Sequence, residues 1–385
     1  MRDFTSDKVK KLKPSGIRKF FDIASTMEDC ISLGVGEPDF DTPWHITEEG
    51  IYSLEQGRTF YTSNQGLIEL RKEISKWNKR KYNLNYSPDE VLVTVGGSEG
   101  IDVSLRGCIN PGDEVIILEP SYVCYEPDVI LAGGIVKKIY LKNENEFRLT
   151  PEELESAITD KTKIIIMNYP NNPTGAIMDK DDLEKIAKVI IKHDLLVISD
   201  EIYSELTYSG KHYSIGALPG MKDRTITING FSKAYSMTGW RLGYVMGPRV
   251  IVEQIQKIHQ FVIMSAPTIS QYAGIEALRN GDDDIEKMGK EYNKRRKYLL
   301  KEFDRLGIPC FEPKGAFYIF PDIRKYGMTS EKFATDLLRK EHVVVVPGTA
   351  FGDSGEGFVR ISYAYSLDAL KEAIKRIEKY LLSRV

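Results

Sequence analysis

Four short apolar runs, Val91–Val95, Glu114–Leu118, Lys163–Asn168 and Leu195–Ser199, alternate with stretches of helical periodicity. One helical stretch starts at Ser98, one ends at Leu131 and one runs near 179–193. Apolar strands separated by helices of about 10–15 residues predict an α/β architecture with a mostly parallel sheet. A further β-rich run, Arg224-Thr-Ile-Thr-Ile-Asn229, continues the pattern. Helical patterns at 46–56 and 67–82 precede it, and helical patterns dominate again from 249 to about 306. Strands near 315–321, 343–346 and 357–362 and a last helix from 367 read as a smaller α+β domain. An apolar pattern over Ile17–Met27 predicts an amino-terminal helix. The expected division is 1–45 joining the small domain, 46–285 as the large domain and 286–385 as the small one. The expected hinge is the helical region 249–306.

Composition narrows the function. With 385 residues, 42% of them hydrophobic, the chain can bury a large core. Its 53 basic and 56 acidic residues leave a net charge of −3, which provides no basic field for nucleic acid. Cys30, Cys108, Cys124 and Cys310 lie far apart with no CxxC pair, as expected of reduced thiols in a cytoplasmic protein. The opening MRDFTSDKVKKLKPSG lacks the apolar core of a signal peptide. Runs such as Val343–Val346 are strand-sized, so no membrane partner is expected.

Several short stretches carry chemistry. Val95-Gly-Gly-Ser-Glu-Gly100 joins a strand to a helix, where bared N–H groups suit a phosphate, although a plain strand–turn–helix reads the same way. It is not the GxGxxG of a dinucleotide site. Asn168-Tyr-Pro-Asn-Asn-Pro-Thr-Gly175 is a rigid loop at a strand's carboxyl end, where open α/β sheets place ligands, and Asn172 offers an amide there. Asp200 ends an apolar strand, with Tyr203 three residues on. A buried carboxylate there needs a cation, either a protonated ring nitrogen or an arginine. Tyr122 ends another strand and could stack on a planar ring.

Lys233 sits among small and aromatic residues in Asn229–Gly247, with Arg241 eight residues on. A desolvated lysine has a lowered pKa and can attack a carbonyl, whereas a surface loop would leave it inert. Arg360 alternates with apolar neighbours in Phe358-Val-Arg-Ile-Ser362, as a buried salt-bridge partner or a bidentate carboxylate clamp. Gly34 and Gly36 let the backbone pass close to something bulky.

Taken in order, these features resemble the class I/II aminotransferases, pyridoxal-phosphate enzymes of fold type I. The resemblance covers essentially the whole chain. It rests above all on Phe231-Ser-Lys-Ala-Tyr-Ser-Met-Thr-Gly-Trp-Arg-Leu-Gly243 and Asn171-Asn-Pro-Thr-Gly175. The likeness is nearest to microbial aspartate and aromatic aminotransferases. It implies a large domain whose mostly parallel, seven-stranded sheet is sandwiched by helices, and a smaller α+β domain built from both termini. It implies Lys233 as the Schiff-base lysine and proton carrier, and Asp200 as the partner of the pyridine nitrogen. Asn172 and Tyr203 would bond the ring O3′, and Tyr122 would stack on the ring. The backbone of Gly97, Ser98 and Glu99, with Arg241, would grip the phosphate. Arg360 would bind the substrate α-carboxylate, helped by Gly36 and Asn172. Tyr61 would reach the phosphate in the neighbouring subunit of a homodimer.

The implied reaction is ping-pong transfer from an L-amino acid, aspartate and/or aromatic, to 2-oxoglutarate. Two departures stand out. Gly230 stands where many relatives carry Ser or Thr, so one phosphate hydrogen bond is missing there unless Ser232 replaces it. No arginine matches the one that reads the substrate side chain in animal-type aspartate enzymes. A carbon–sulfur β-lyase or decarboxylase would share Lys233 and Asp200. A ligand-sensing regulator would need a DNA-binding extension, and only about 30 residues precede Gly34, with a slightly acidic overall balance.

Overall fold

The computed structural model describes residues 2–12, 27 and 29–383; the helix expected over Ile17–Met27 lies outside them, save Met27. Seven strands form the main sheet: β2 (Val91–Thr94), β3 (Glu114–Glu119), β4 (Ile135–Tyr140), β5 (Thr162–Asn168), β6 (Leu196–Asp200), β7 (Thr225–Gly230) and β8 (Gly243–Met246). Their order is β2-β8-β7-β6-β5-β3-β4. The pairs among β3 to β7 are parallel, whereas β8 runs antiparallel to both β7 and β2. Parallel neighbours need a crossover connection. Between β7 and β8 the chain has only the loop that holds Lys233, so it returns antiparallel.

Side-chain alternation along the strands builds two apolar layers. Val115, Ile117, Ile164, Ile166, Ile198 and Ile228 pack on one face with the helix Gly96–Cys108. Ile116, Leu118, Ile165, Met167 and Val197 pack on the other with the helix Lys180–Lys192. That second helix starts where Asp179 accepts a hydrogen bond from the Asp182 N–H, an N-cap that satisfies one free donor.

The fold confirms the expected α/β sheet sandwiched by helices and adds two strands to those read from the pattern. Strand β4 lies at the sheet edge, half-exposed along most of its length. Lys138 there pairs with Glu119 at 2.7 Å and Glu126 at 2.9 Å, and such charge blunts an open edge. Strand β8 lies at the end of the Asn229–Gly247 stretch, where the sequence pattern signalled no strand. The helical region expected over 249–306 is three helices, Arg249–Val262, Thr268–Asn280 and Asp282–Arg305, interrupted at Pro267 and Gly281.

A second core gathers Leu33, Phe317, Val344, Ile361, Leu370 and Tyr380 with their neighbours. Two small sheets feed it. β1 (Ile31–Ser32) pairs in parallel with β10 (Val343–Val344). β12 (Val359–Ser362) lies between β11 (Val346–Pro347) and β9 (Tyr318–Ile319), antiparallel to both. The helix Ser330–Glu341, which the pattern did not signal, covers this layer beside Leu367–Leu382. Among the described residues, no helix is long and apolar enough to cross a membrane.

Candidate active site

The carboxyl ends of β5, β6 and β7 point to one place. They deliver Asn168 and Asn172, Asp200 and Tyr203, and Ser232 and Lys233 to a single cavity of about 360 Å³. The helix start after β2 adds Gly97 and Ser98 to its lining, and Tyr122 and Arg241 come from the following loops. The second core contributes Gly36, Tyr318 and Arg360.

Asp200 is 4% exposed. Tyr125 Oη donates to its Oδ2 at 2.7 Å, and the Ile202 N–H donates to Oδ1 at 3.2 Å. It has no ion pair among the described residues, and burial pushes its carboxyl up to about 6. A carboxylate held there gains from a cation placed in the cavity. Asn168 braces this floor: its Nδ2 donates to the Asp200 carbonyl at 3.0 Å, and its Oδ1 accepts the Asn172 N–H at 3.0 Å.

Lys233 reaches into the cavity, where its Nζ donates to the Gly36 carbonyl at 2.6 Å. Burial pushes the amine down to about 8, close enough to neutrality for a free amine to be present. Opposite, Arg360 is 3% exposed. Its Nη1 donates to Asn172 Oδ1 at 2.8 Å and its Nη2 to the Gly34 carbonyl at 2.5 Å, while Nε has no partner among the described residues. Burial lowers its pKa. Arg360 makes no carboxylate ion pair among the described residues, which removes the salt-bridge reading and leaves a donor to spare for an anion.

Gly97 and Ser98 present the first turn of a helix, where an anion is well held. Arg241, with φ 52° in the left-handed region, lies so close to Gly96 that a Cβ there would sit 2.8 Å from Nη2. Gly230 pairs in register with Gly243, and a Cβ at 230 would come 3.0 Å from the Gly243 Cα and the Leu242 carbonyl. A side chain there would need the facing strand to give by a few tenths of an ångström, and Ser232 lines the cavity nearby.

Two residues singled out in the sequence are not brought into the lining. Glu99 turns away: its carboxylate meets the buried His259 Nδ1 at 2.6 Å. Tyr61 is 82% exposed. Conversely, Tyr125 and Tyr318 belong to the site and were not anticipated. Their only signal is a tyrosine hydroxyl carried in apolar context, three residues after Tyr122 and within Gly315-Ala-Phe-Tyr-Ile-Phe320.

The family model for aminotransferase class I and II matches residues 28–377. The chain belongs to the class I and II aminotransferases. An aspartate aminotransferase of Pyrococcus abyssi (strain GE5 / Orsay) is 48% identical over 380 residues, 98% of each chain. Aromatic-amino-acid aminotransferase 2 of Thermococcus litoralis is 45% identical, again over 380 residues and 98% of each. The solved aspartate aminotransferase from Thermus thermophilus with maleate superposes with a TM-score of 0.95 at 37% identity, over 99% of this chain and 100% of that one. The fold of this aminotransferase is thus fold type I. Its cavity combines a reactive amine, an unpaired buried carboxylate and an anion cradle, which together suit a planar cationic heterocycle carrying a phosphate.

Proposed function

We propose that this aminotransferase uses pyridoxal 5′-phosphate to move an amino group from an L-amino acid, aspartate and/or aromatic, to 2-oxoglutarate in two half-reactions. The observation that carries this reading is Asp200, buried without an ion pair among the described residues and facing the same cavity as Lys233. The cofactor supplies the electron sink for the negative charge left on the substrate Cα when its proton is removed.

The chain does the rest. Asp200 would hold the proton on the ring nitrogen, with the hydrogen bond from Tyr125 keeping the carboxylate in place. The backbone N–H groups of Gly97, Ser98 and Glu99, the Ser232 hydroxyl and Arg241 would hold the phosphate by charge-assisted bonds. Tyr122 would lie against the ring, while Asn172 and Tyr203 would bond its hydroxyl oxygen. Arg360 holds the substrate α-carboxylate, its Nε free to donate, and the Gly36 backbone helps set the orientation. That fixes the Cα–H bond relative to Lys233 Nζ, which takes the proton as general base and returns it elsewhere as general acid.

The aromatic lining, with Tyr122, Tyr203 and Tyr318, supports an aromatic side chain in the pocket. The names of the relatives support aspartate as well. We further propose a homodimer in which Tyr61 reaches the neighbouring site. Support comes from a run of exposed aromatic side chains, Phe60, Tyr61 and Phe261, around helix start Thr268, whose Oγ1 bonds the Phe60 carbonyl at 2.7 Å. Four unpaired cysteines support a cytoplasmic location.

Lys233→Ala should keep the cofactor bound without covalent attachment and abolish transamination. In the wild type, each 2-oxo acid released should match one consumed, with no ammonia. Ammonia release with a cysteine-type substrate would point instead to a β-lyase.

A further inference from the structure

Tyr318 lies where the two halves of the site meet. Its hydroxyl is 2.7 Å from the Tyr203 hydroxyl. Its ring lies under the Arg360 guanidinium at 4.4 Å, with Phe351 against the same group at 4.7 Å. A Cβ on Gly36 would overlap the Tyr318 hydroxyl, so the Gly36 loop that accepts the Lys233 amine also rests on this tyrosine. Burial raises both tyrosine pKa values, so both hydroxyls stay protonated and one must donate to the other.

We propose that Tyr318 is a positioning residue that couples the carboxylate clamp, Arg360, to the tyrosine hydroxyl acting at the cofactor ring, Tyr203. The inference rests on the cofactor reading above. Once Tyr203 donates to the ring oxygen, its own oxygen is free to accept from Tyr318. A donated bond polarises the acceptor and makes Tyr203 the stronger donor. Stronger donation withdraws negative charge from the ring oxygen, and with less charge beside it the Lys233–cofactor nitrogen holds its proton less tightly. The ring of Tyr318, meanwhile, fixes the plane of Arg360 by a cation–π contact in a desolvated site. Hydroxyl and ring therefore have separable effects.

The test uses the cofactor-loaded enzyme and two variants, Tyr318→Phe and Tyr318→Leu. Two quantities are read from the cofactor absorbance: the pH midpoint of its spectral change, and the dissociation constant of 3-phenylpropionate. That ligand's single anion is the one Arg360 would clamp. Tyr318→Phe should raise the midpoint by roughly half a pH unit, as expected for losing cooperative support of a charge-assisted bond. It should leave the ligand's dissociation constant within about twofold, because the ring is kept. Tyr318→Leu should raise the midpoint and weaken the ligand by about tenfold.

A midpoint unmoved in Tyr318→Phe overturns the coupling, as does ligand binding equally weakened in both variants. If Tyr318→Leu does not fold, the phenylalanine variant still decides. A wild-type protein without any cofactor absorbance would instead remove the cofactor reading itself, an outcome visible before any variant is made.

Discussion

Asp200 and Glu201 are neighbours in the chain, buried to 4% and 1% exposure, in opposite circumstances. Glu201 accepts from Ser199 Oγ at 2.8 Å and Ser214 Oγ at 2.6 Å, and meets His212 Nε2 at 2.9 Å. Beside it is a space of about 10 Å³, no more than one water. Asp200 has two hydrogen bonds, no ion pair among the described residues and a cavity of about 360 Å³ before it. One carboxylate is finished by the protein; the other is left for something that enters. Burial of an acid alone does not mark a functional site, and the missing counter-charge does.

The largest expected effect breaks this contrast at Asp200. Asp200→Asn keeps the shape and the bond from the Ile202 N–H to Oδ1, with the Tyr125 hydroxyl turned to accept from the new amide, but cannot hold a proton on a ring nitrogen. Its kcat/KM should fall by roughly 10³-fold, the order of a lost electrostatic stabiliser. Thermal stability of the cofactor-free protein should hold or rise. A stability loss as large as the activity loss would make Asp200 a structural acid like its neighbour.

Glu201→Ala is the mirror image. It strands His212 and two serine hydroxyls, at a cost of about 3 kcal/mol in unfolding free energy. Denaturant titration reads that cost, while kcat of the folded fraction should change little.

Titration sharpens the same comparison. The Asp200 carboxyl sits at about 6 when folded against an ordinary 3.8, so between these values the folded state binds more protons than the unfolded one. Stability of the cofactor-free protein should therefore fall as pH rises from 4 to 6, by on the order of 2 kcal/mol, and Asp200→Asn should flatten that slope. Lys233 runs the other way. Its amine is at about 8 against 10.5, so its burial penalty is full below pH 8 and relieved above it. Capture of added pyridoxal phosphate by this amine should rise with a midpoint near that pH, and a midpoint near 10.5 would show a solvated lysine.

The smallest effect is at Tyr125→Phe. Losing one neutral donor from Asp200 should cost about 1 kcal/mol in transition-state stabilisation, a fall of roughly five- to tenfold in kcat/KM.

The cavity floor was legible in the sequence because its residues sit at the ends of apolar strands. Asp200 closes Ile198-Ser-Asp200, Asn172 follows a strand into a proline-rich turn, and Lys233 follows another. Strand ends are where a period-two pattern stops, so position and chemistry coincide there. Tyr318 was not legible, since its partner Tyr203 lies 115 residues away and the strand that carries it is two residues long. Strand β4 escaped because an edge strand carries lysines on half-exposed positions and does not read as apolar. Strand β8 escaped because its four residues follow directly on the irregular Lys233 loop and are too few to show an alternation. Glu99 was read for its backbone beside Ser98, and its side chain has a separate role that the pattern did not signal, meeting His259 on the other side of the helical turn.

The central claim, a cofactor-bound Lys233 that exchanges amino groups, is tested most directly by the absorption spectrum of the purified protein. It should be recorded as aspartate, then tyrosine, then 2-oxoglutarate is added. The account predicts a yellow protein whose band bleaches with an accepted donor and returns with the 2-oxo acid. A protein that stays colourless after pyridoxal phosphate is supplied would contradict it.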